Sequence, residues 1–254
     1  MRYTLLRNAT ALLDFGGQHF LVDPMLDDQG ARPAIPDTPN PQPNPLVPLP
    51  DTWREVVAEA SAHLVTHLHQ DHFDSTATTT LSHSLPMICQ PADIDRLRDA
   101  GFHRLEPVET SIDHHGVSIT RTEGQHGSGD IGRMLAPVSG FVFQHQSEPV
   151  TYLAGDTIWC DDVSNAIQRF QPEVIIVNAG GARFNSGGPI VMTAEDIAIV
   201  AEAASNAPIV VVHLEAINHC LETREYYATR LPQLGVDMER MHLPADGESL
   251  DFLQ

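Results

Sequence analysis

Residues 66–74 read T-H-L-H-Q-D-H-F-D, and they limit what this chain can become more than any other stretch of it. His67, His69, Asp71 and His72 are all metal-ligand side chains, and they directly follow an apolar run, residues 62–66, with the character of a buried strand. Three imidazoles and a carboxylate suit borderline divalent ions such as zinc or manganese. The motif marks a metal site at the end of a strand.

Residues two apart on a strand point the same way, so His67 and His69 can converge on one ion as the chain leaves it. The turn that follows brings Asp71 and His72 round to a second position. Two ions that close can share a hydroxide, the usual basis of dinuclear hydrolysis. Four side chains cannot close two metal shells, so further donors must come from later in the chain. Three candidates stand where strand-like runs end: His126 after residues 117–122, Asp156 in a G-D-T turn after residues 150–154, and His213 after residues 208–212. A zinc finger would need paired cysteines, whereas Cys89, Cys160 and Cys220 lie far apart with no C-x-x-C.

The order H-x-H-x-D-H, then His, then Asp in G-D-T, then His resembles the metallo-β-lactamase fold superfamily of metallohydrolases, over nearly the whole chain. The opening L-R-N-A-T, the Gly16-Gly17 pair and L-V-D-P at residues 21–24 are similar to that superfamily's first hairpin. Within it the chain looks most like the lactonase branch that includes L-ascorbate-6-phosphate lactonase. The resemblance implies an α/β fold, a four-layer αββα sandwich built as a single domain over residues 1–254, with the metals at one edge of the sheets. It implies that His67, His69 and His126 hold one metal, that Asp71, His72 and His213 hold the other, and that Asp156 bridges them. The cofactors it implies are two divalent metal ions, Zn2+ or Mn2+, with iron a further option.

Departures from neighbouring branches narrow this. Flavodiiron-type relatives place Glu where this chain has His69. The exported β-lactamases of the fold often use a cysteine ligand that has no match here, and the nucleases carry insertions not found in this chain. Persulfide dioxygenases share H-x-H-x-D-H with a single iron, so a mononuclear iron enzyme is an alternative. A catalytically weak metal-containing sensor or binding protein is another.

The formal net charge is −20 and the chain contains no lysine. The charge disfavours nucleic-acid partners, and the missing lysine excludes Schiff-base chemistry. Serine-hydrolase and P-loop readings fail for want of G-x-S-x-G and Walker motifs. The first residues are too polar for a signal sequence, no apolar run is long enough to span a bilayer, and the cysteines are unpaired, so the expectation is a cytoplasmic protein without membrane attachment. The expected partner is a small-molecule substrate, and the resemblance allows a homo-oligomer.

Residues 31–50 carry proline at nearly every second or third place, which excludes a helix or a central strand. This proline-rich insertion loop is expected to be extended, as plain surface, as a subunit contact, or as a lid, since it follows Asp23-Pro24. Elsewhere strand-like runs (87–90, 140–144, 174–178) alternate with helical patterns beginning near Thr52, Ala92, Asp161, Thr193 and Glu222. Substrate contacts are expected from Glu215 and His219 in the loop after His213, from Trp159 after Asp156, and from Arg183 and Asn185 in a glycine-rich loop. Asn8 and Asp23 are placed to steady the metal loop from behind. The chemistry expected is attack by a metal-bridging hydroxide on a carbonyl or phosphorus centre of an ester, lactone, amide or phosphoester. Asp71 would orient the nucleophile and carry a proton to the leaving group, with His219 a second proton donor.

Overall fold

The computed structural model describes residues 1–204 and 206–252. Strands β1 (Arg2–Arg7), β2 (Thr10–Phe15) and β3 (Gln18–Val22) form an antiparallel meander that turns at Asn8-Ala9 and at Gly16-Gly17. Helix α1 (Trp53–Ala58) then leads into β4 (Ala62–Val65), helix α2 (Ser75–Thr80) into β5 (Met87–Cys89), and α3 (Ile94–Asp99) into β6 (Leu105–Pro107). Strands β3 to β6 are parallel.

A hairpin of β7 (Ser111–His114) and β8 (Val117–Thr122) opens the second sheet. It is followed by α4 (Gly129–Leu135), β9 (Gly140–His145), β10 (Glu148–Leu153), α5 (Asp161–Phe170), β11 (Val174–Asn178), α6 (Ala194–Ala203), β12 (Ile209–Val212), α7 (Arg224–Gln233) and β13 (Met241–His242). The last strand, β14 (Ser249–Asp251), returns to β1. The result is two seven-stranded sheets, ordered β14-β1-β2-β3-β4-β5-β6 and β13-β12-β11-β10-β9-β8-β7.

Alternating apolar residues give each sheet an inner face. Leu5, Leu13, Phe15 and Phe20 meet Ile119, Phe141, Phe143 and Ile176 in one fully buried layer between the sheets. Phe143 packs against Phe15 and Phe20 with ring centroids 5.7 and 5.4 Å apart, contacts worth about 0.5–1.5 kcal/mol each beyond area burial. The outer faces are covered by α1, α2 and α3 on the first sheet and by α5, α6 and α7 on the second. This is the four-layer αββα sandwich. No helix among the described residues is long and apolar enough to cross a membrane.

Two helices run against the sequence pattern. Helix α2 reads S-T-A-T-T-T, four of its six residues being β-branched threonines that disfavour helix. It forms because Asp74 caps it, Oδ1 accepting from the Ala77 N–H at 2.7 Å while Oδ2 accepts from the Asp27 N–H. Helix α4 has two glycines and no buried residue, so it carries no helical stripe to read. Helix α6 opens, where its pattern begins, with a full capping box between Thr193 and Asp196.

Candidate metal centre

Five strands deliver the site to one edge of the sandwich. The chain leaves β3 at Asp23, β4 at Thr66, β8 ahead of His126, β10 ahead of Asp156 and β12 at His213. Four of these strands, β3, β4, β10 and β12, belong to the parallel parts of the two sheets, so their carboxyl ends face the same way. Asn8 fastens the two sheets together at this edge. Its carbonyl accepts from the His213 N–H at 2.9 Å and its side-chain amide donates to the Asp71 carbonyl at 3.0 Å. His213 itself sits at φ +66°, a left-handed conformation uncommon outside glycine. Gly155 sits at φ +69°, and a Cβ there would lie 2.4 Å from the Ser139 carbonyl oxygen, so only glycine can bring the chain round to Asp156.

Seven side chains assemble as two groups, His67, His69 and His126 in one and Asp71, His72, Asp156 and His213 in the other, with the donor atoms of each group within 4.8 Å of one another. Asp156 Oδ2 is common ground. It lies 3.2 Å from His72 Nε2, 3.5 Å from His126 Nε2, 3.8 Å from His213 Nε2 and 3.9 Å from His67 Nε2. The other oxygen of Asp156 accepts from the Asn178 amide at 2.7 Å. Asp71 Oδ2 is 3.2 Å from His213 Nε2 and 3.8 Å from His72 Nε2.

The surroundings fix which ring nitrogen is free. His126 Nδ1 donates to the Ile190 carbonyl at 2.8 Å and His72 Nδ1 to Asp23 Oδ2 at 2.9 Å. The Thr66 hydroxyl spends its proton on Asp23, so it can only accept from His67 Nδ1, 3.0 Å away. In each case Nε2 is left with its lone pair turned to the centre. His72 Nε2 is buried without any aligned hydrogen-bond partner. Lone pairs and carboxylate oxygens crowded into one buried space repel each other unless a cation lies among them. The donor set fits divalent metal ions.

The protonation states agree in part and are instructive where they do not. Burial holds His67 well below the usual imidazole range, lowers His126, and brings His69 down to about 4. Burial alone would raise Asp156, but attraction to His72 and His213 outweighs it and keeps the carboxyl well below its ordinary range. Burial would likewise lower His72 and His213, yet Asp156 and its neighbours hold both up, His72 to about 10. A divalent cation competes for those same lone pairs, so metal binding releases protons there.

A cavity of about 340 Å³ opens onto His69, Asp71 and His126. Its far walls are apolar, with Leu68, Phe184, Ile190 and Ile217 prominent, and Arg32, Pro33, Ile35 and Asn44 bring the proline-rich segment into the wall. That segment folds back on itself through paired backbone hydrogen bonds between Arg32 and Asn44, both 2.8 Å. His219 lines the cavity with Nδ1 buried and unpartnered, and burial brings its pKa down to about 4. It therefore stands as a neutral imidazole at neutral pH.

The other expected substrate contacts are held elsewhere. Glu215 binds the Arg224 backbone N–H and guanidinium, at 2.8 and 2.5 Å, because its own φ of +62° turns it towards α7. Trp159 packs on the core beneath α5 and α6. Arg183 is engaged by Glu222 at 3.1 Å and by the Gly181 carbonyl. Asn185 is exposed, its backbone N–H given to Asp37. Sequence reasoning passed over Asn178, the one polar residue ending an otherwise apolar strand, a signal of the same kind as those that marked His126, Asp156 and His213. It also passed over Arg32 and Arg96, which carry no motif.

The sequence profile of the beta-lactamase superfamily domain matches residues 18–214. The chain is 37% identical to the UPF0173 protein YddR of Bacillus subtilis (strain 168), over 99% of this chain and all of that one. Among solved structures it is similar to an isothiocyanate hydrolase from Delia radicum gut bacteria, with a TM-score of 0.94 and 34% identity over the full length of both. It is equally similar in fold to a possible metal-dependent hydrolase from Veillonella parvula DSM 2008, with a TM-score of 0.94 and 31% identity over 98% of each. The chain belongs to the beta-lactamase superfamily, as a metal-dependent hydrolase of the metallo-β-lactamase fold.

Proposed function

We propose that this protein is a dinuclear hydrolase of small organic molecules, acting on an ester, lactone, amide or phosphoester. The observation that carries the reading is the position of Asp156 Oδ2, within 3.9 Å of imidazole nitrogens from both donor groups. Two Zn2+ or Mn2+ ions, held by His67, His69 and His126 and by Asp71, His72 and His213 with Asp156 between them, would supply Lewis acidity and an activated water at neutral pH. The chain's own residues do the rest. Asp71 lies at the cavity wall with one oxygen against His213, placed to orient the attacking group and to carry its proton to the leaving group. His219 offers a neutral imidazole to the substrate from the same wall. The apolar side chains exclude bulk water from the reacting bond.

A second substrate class is favoured by the apolar cavity together with full-length similarity to an isothiocyanate hydrolase. In an isothiocyanate the central carbon is electrophilic, as a carbonyl carbon is. Oxygen from water bonds to that carbon, the carbon–nitrogen bond breaks, and nitrogen takes up the protons, leaving an amine and carbonyl sulfide. The reading includes a cytoplasmic protein without nucleic-acid partners. The test is metal content by elemental mass spectrometry on protein purified without chelators, followed by turnover assays on lactones, esters, phosphoesters and isothiocyanates. About two equivalents of zinc or manganese, with turnover lost in Asp71→Ala, support the proposal. A single equivalent of iron with thiol-dependent oxygen uptake would overturn it in favour of a dioxygenase. Tight ligand binding without turnover would point to a sensor.

A further inference from the structure

The 340 Å³ cavity does not end at a blank wall. A second cavity of about 250 Å³, between Phe73, Ser75, Thr78 and α3, shares Arg32, Leu68, Gln70 and Arg96 with it. Two guanidinium groups therefore stand at the partition between the two spaces, one on the proline-rich segment and one on α3. In a chain with 34 acidic and 14 basic residues, arginines are soon taken up by carboxylates. Arg98, Arg121, Arg183, Arg224 and Arg230, for example, are all so paired.

Arg96 is different. No ion pair is found for it among the described residues, and its one hydrogen bond is a long contact of 3.4 Å to the Leu68 carbonyl. Asp93, the acid that feels its charge, is hydrogen-bonded to Gln90 instead. Arg32 is neutralised on one side only. Its Nε lies 2.7 Å from Asp27 Oδ2 and its Nη1 is 3.4 Å from Gln70 Oε1, while its Nη2 is buried with no hydrogen-bond partner. A buried guanidinium N–H without an acceptor is costly, and a carboxylate, sulfonate or phosphate satisfies it with a charge-assisted bond. The sole acidic side chain lining the metal-side cavity is Asp71, a member of the donor cluster; of the two carboxylates beyond it, Asp74 accepts the Ala77 and Asp27 backbone N–H groups and Asp27 faces the Arg32 Nε.

We propose that the substrate carries an anionic group at the end away from the reacting bond, and that Arg32 and Arg96 bind it where the two cavities meet. The inference rests on the reading that the metal cluster acts on a molecule held in the 340 Å³ cavity. It divides the substrate into a reacting group at His69, Asp71 and His126, an apolar body against Ile190, Ile217 and Phe184, and a charged end at the arginines. It sets selectivity between molecules that react alike, favouring an anionic member of a series over an uncharged one of equal length. The alternative for the two arginines is purely structural, Arg32 tying the proline-rich segment to Asp27 and Arg96 buttressing the Leu68 carbonyl.

The test uses metal-loaded protein and hydroxamates, which chelate the metal centre. Monohydroxamates of the straight-chain dicarboxylic acids from succinic to suberic are compared by calorimetry with alkyl hydroxamates of equal length. At the length that spans from metals to arginines, the carboxylate-ended probe should bind about tenfold tighter than its neutral homologue, or better. That advantage should shrink with added salt and fall to near unity in both Arg32→Gln and Arg96→Gln, while the neutral probes keep their affinity. Arg96→Gln keeps the test clean, since that side chain is exposed and no ion pair is lost. No advantage at any length, or an advantage that survives in both variants, overturns the proposal. Failure of every hydroxamate, neutral ones included, would instead remove the metal-cavity reading beneath it, and the inference with it.

Discussion

Asp23 Oδ2 accepts a hydrogen bond from His72 Nδ1 at 2.9 Å, tying the end of the first hairpin to the centre of the metal motif. The same carboxylate takes the Thr66 N–H at 2.7 Å on Oδ1 and the Thr66 hydroxyl at 2.8 Å on Oδ2. Asp23 is 1% exposed and sits at φ +42°, so the chain holds a strained conformation to make these contacts. One residue just past β3 thus sets the tautomer of His72 directly and that of His67 through Thr66.

Asp23→Asn should therefore lower metal affinity without unfolding the protein. An amide can accept on one side only, so the His72 ring loses its fixed orientation and basicity. Partners of this kind are worth about 10- to 100-fold in metal affinity. Competition with a chromophoric chelator measures it, and an affinity equal to that of wild type would show that Asp23 serves the hairpin and not the metals.

If the cluster holds the two ions proposed above, removing them should destabilise the fold, because two acidic and five imidazole side chains then share one buried space. With free metal at a hundred times its Kd, each ion contributes roughly 2.7 kcal/mol. In a domain of this size that corresponds to a fall in Tm of about 5–10 °C per ion on chelation. Asp156→Ala should flatten the response of Tm to metal almost completely, since its carboxylate serves both donor groups. Calorimetric scans with and without chelator decide the matter, and a variant that still gains the full wild-type shift would separate Asp156 from the metals.

Much of this architecture is legible in the sequence because each donor follows a strand whose apolar residues declare it. The runs ending at Thr66, Thr122, Ala154 and Val212 are strands within a residue or two of where their composition puts them. Glu215 and Trp159 show where that logic stops. Proximity along the chain to His213 and Asp156 suggested the cavity, but a left-handed φ at Glu215 and the pull of the α5–α6 core on Trp159 send both side chains elsewhere. Arg32 and Arg96 lie at the cavity through hydrogen bonds to Gln70 and Leu68, 38 and 28 residues away along the chain, which no local pattern encodes. The fate of the proline-rich segment is of the same kind, settled by Asn218.

The pH dependence of stability should carry a contribution from His63, on β4 away from the metal cluster. It is 1% exposed, its Nδ1 has no partner, and burial brings its pKa from 6.5 down to about 4. Between those values the unfolded chain binds a proton that the folded chain refuses, so stability is full above pH 6.5 and falls as pH drops towards 4. His63→Leu removes that slope. Subtracting urea-unfolding curves of the variant from wild type at matched pH isolates the residue from other buried imidazoles. A difference that does not change across this window would mean that His63 takes up its proton within the fold.

Asn218 decides whether the proline-rich segment is a wall or a lid. Its Oδ1 accepts from Asn44 Nδ2 at 2.7 Å and from the Ile35 N–H at 3.1 Å, and its Nδ2 donates to the Thr38 hydroxyl and the Asn40 carbonyl, both at 2.6 Å. Its own N–H is held by Asn44 Oδ1 at 2.8 Å. One side chain, one residue before His219, thus pins four points of the segment against the loop that follows His213. Asn218→Ala leaves the buried Asn44 amide and the half-buried groups of Ile35, Thr38 and Asn40 without partners, at a cost of about 1–3 kcal/mol in stability. Because Ile35 and Asn44 line the cavity and no metal donor depends on them, the variant should keep its full metal content while KM rises more than kcat falls. Elemental analysis beside steady-state kinetics on any turned-over substrate reads both quantities. Loss of metal in step with activity would show instead that the segment supports the ligand loops themselves, and that the cavity wall and the metal centre fold as one unit.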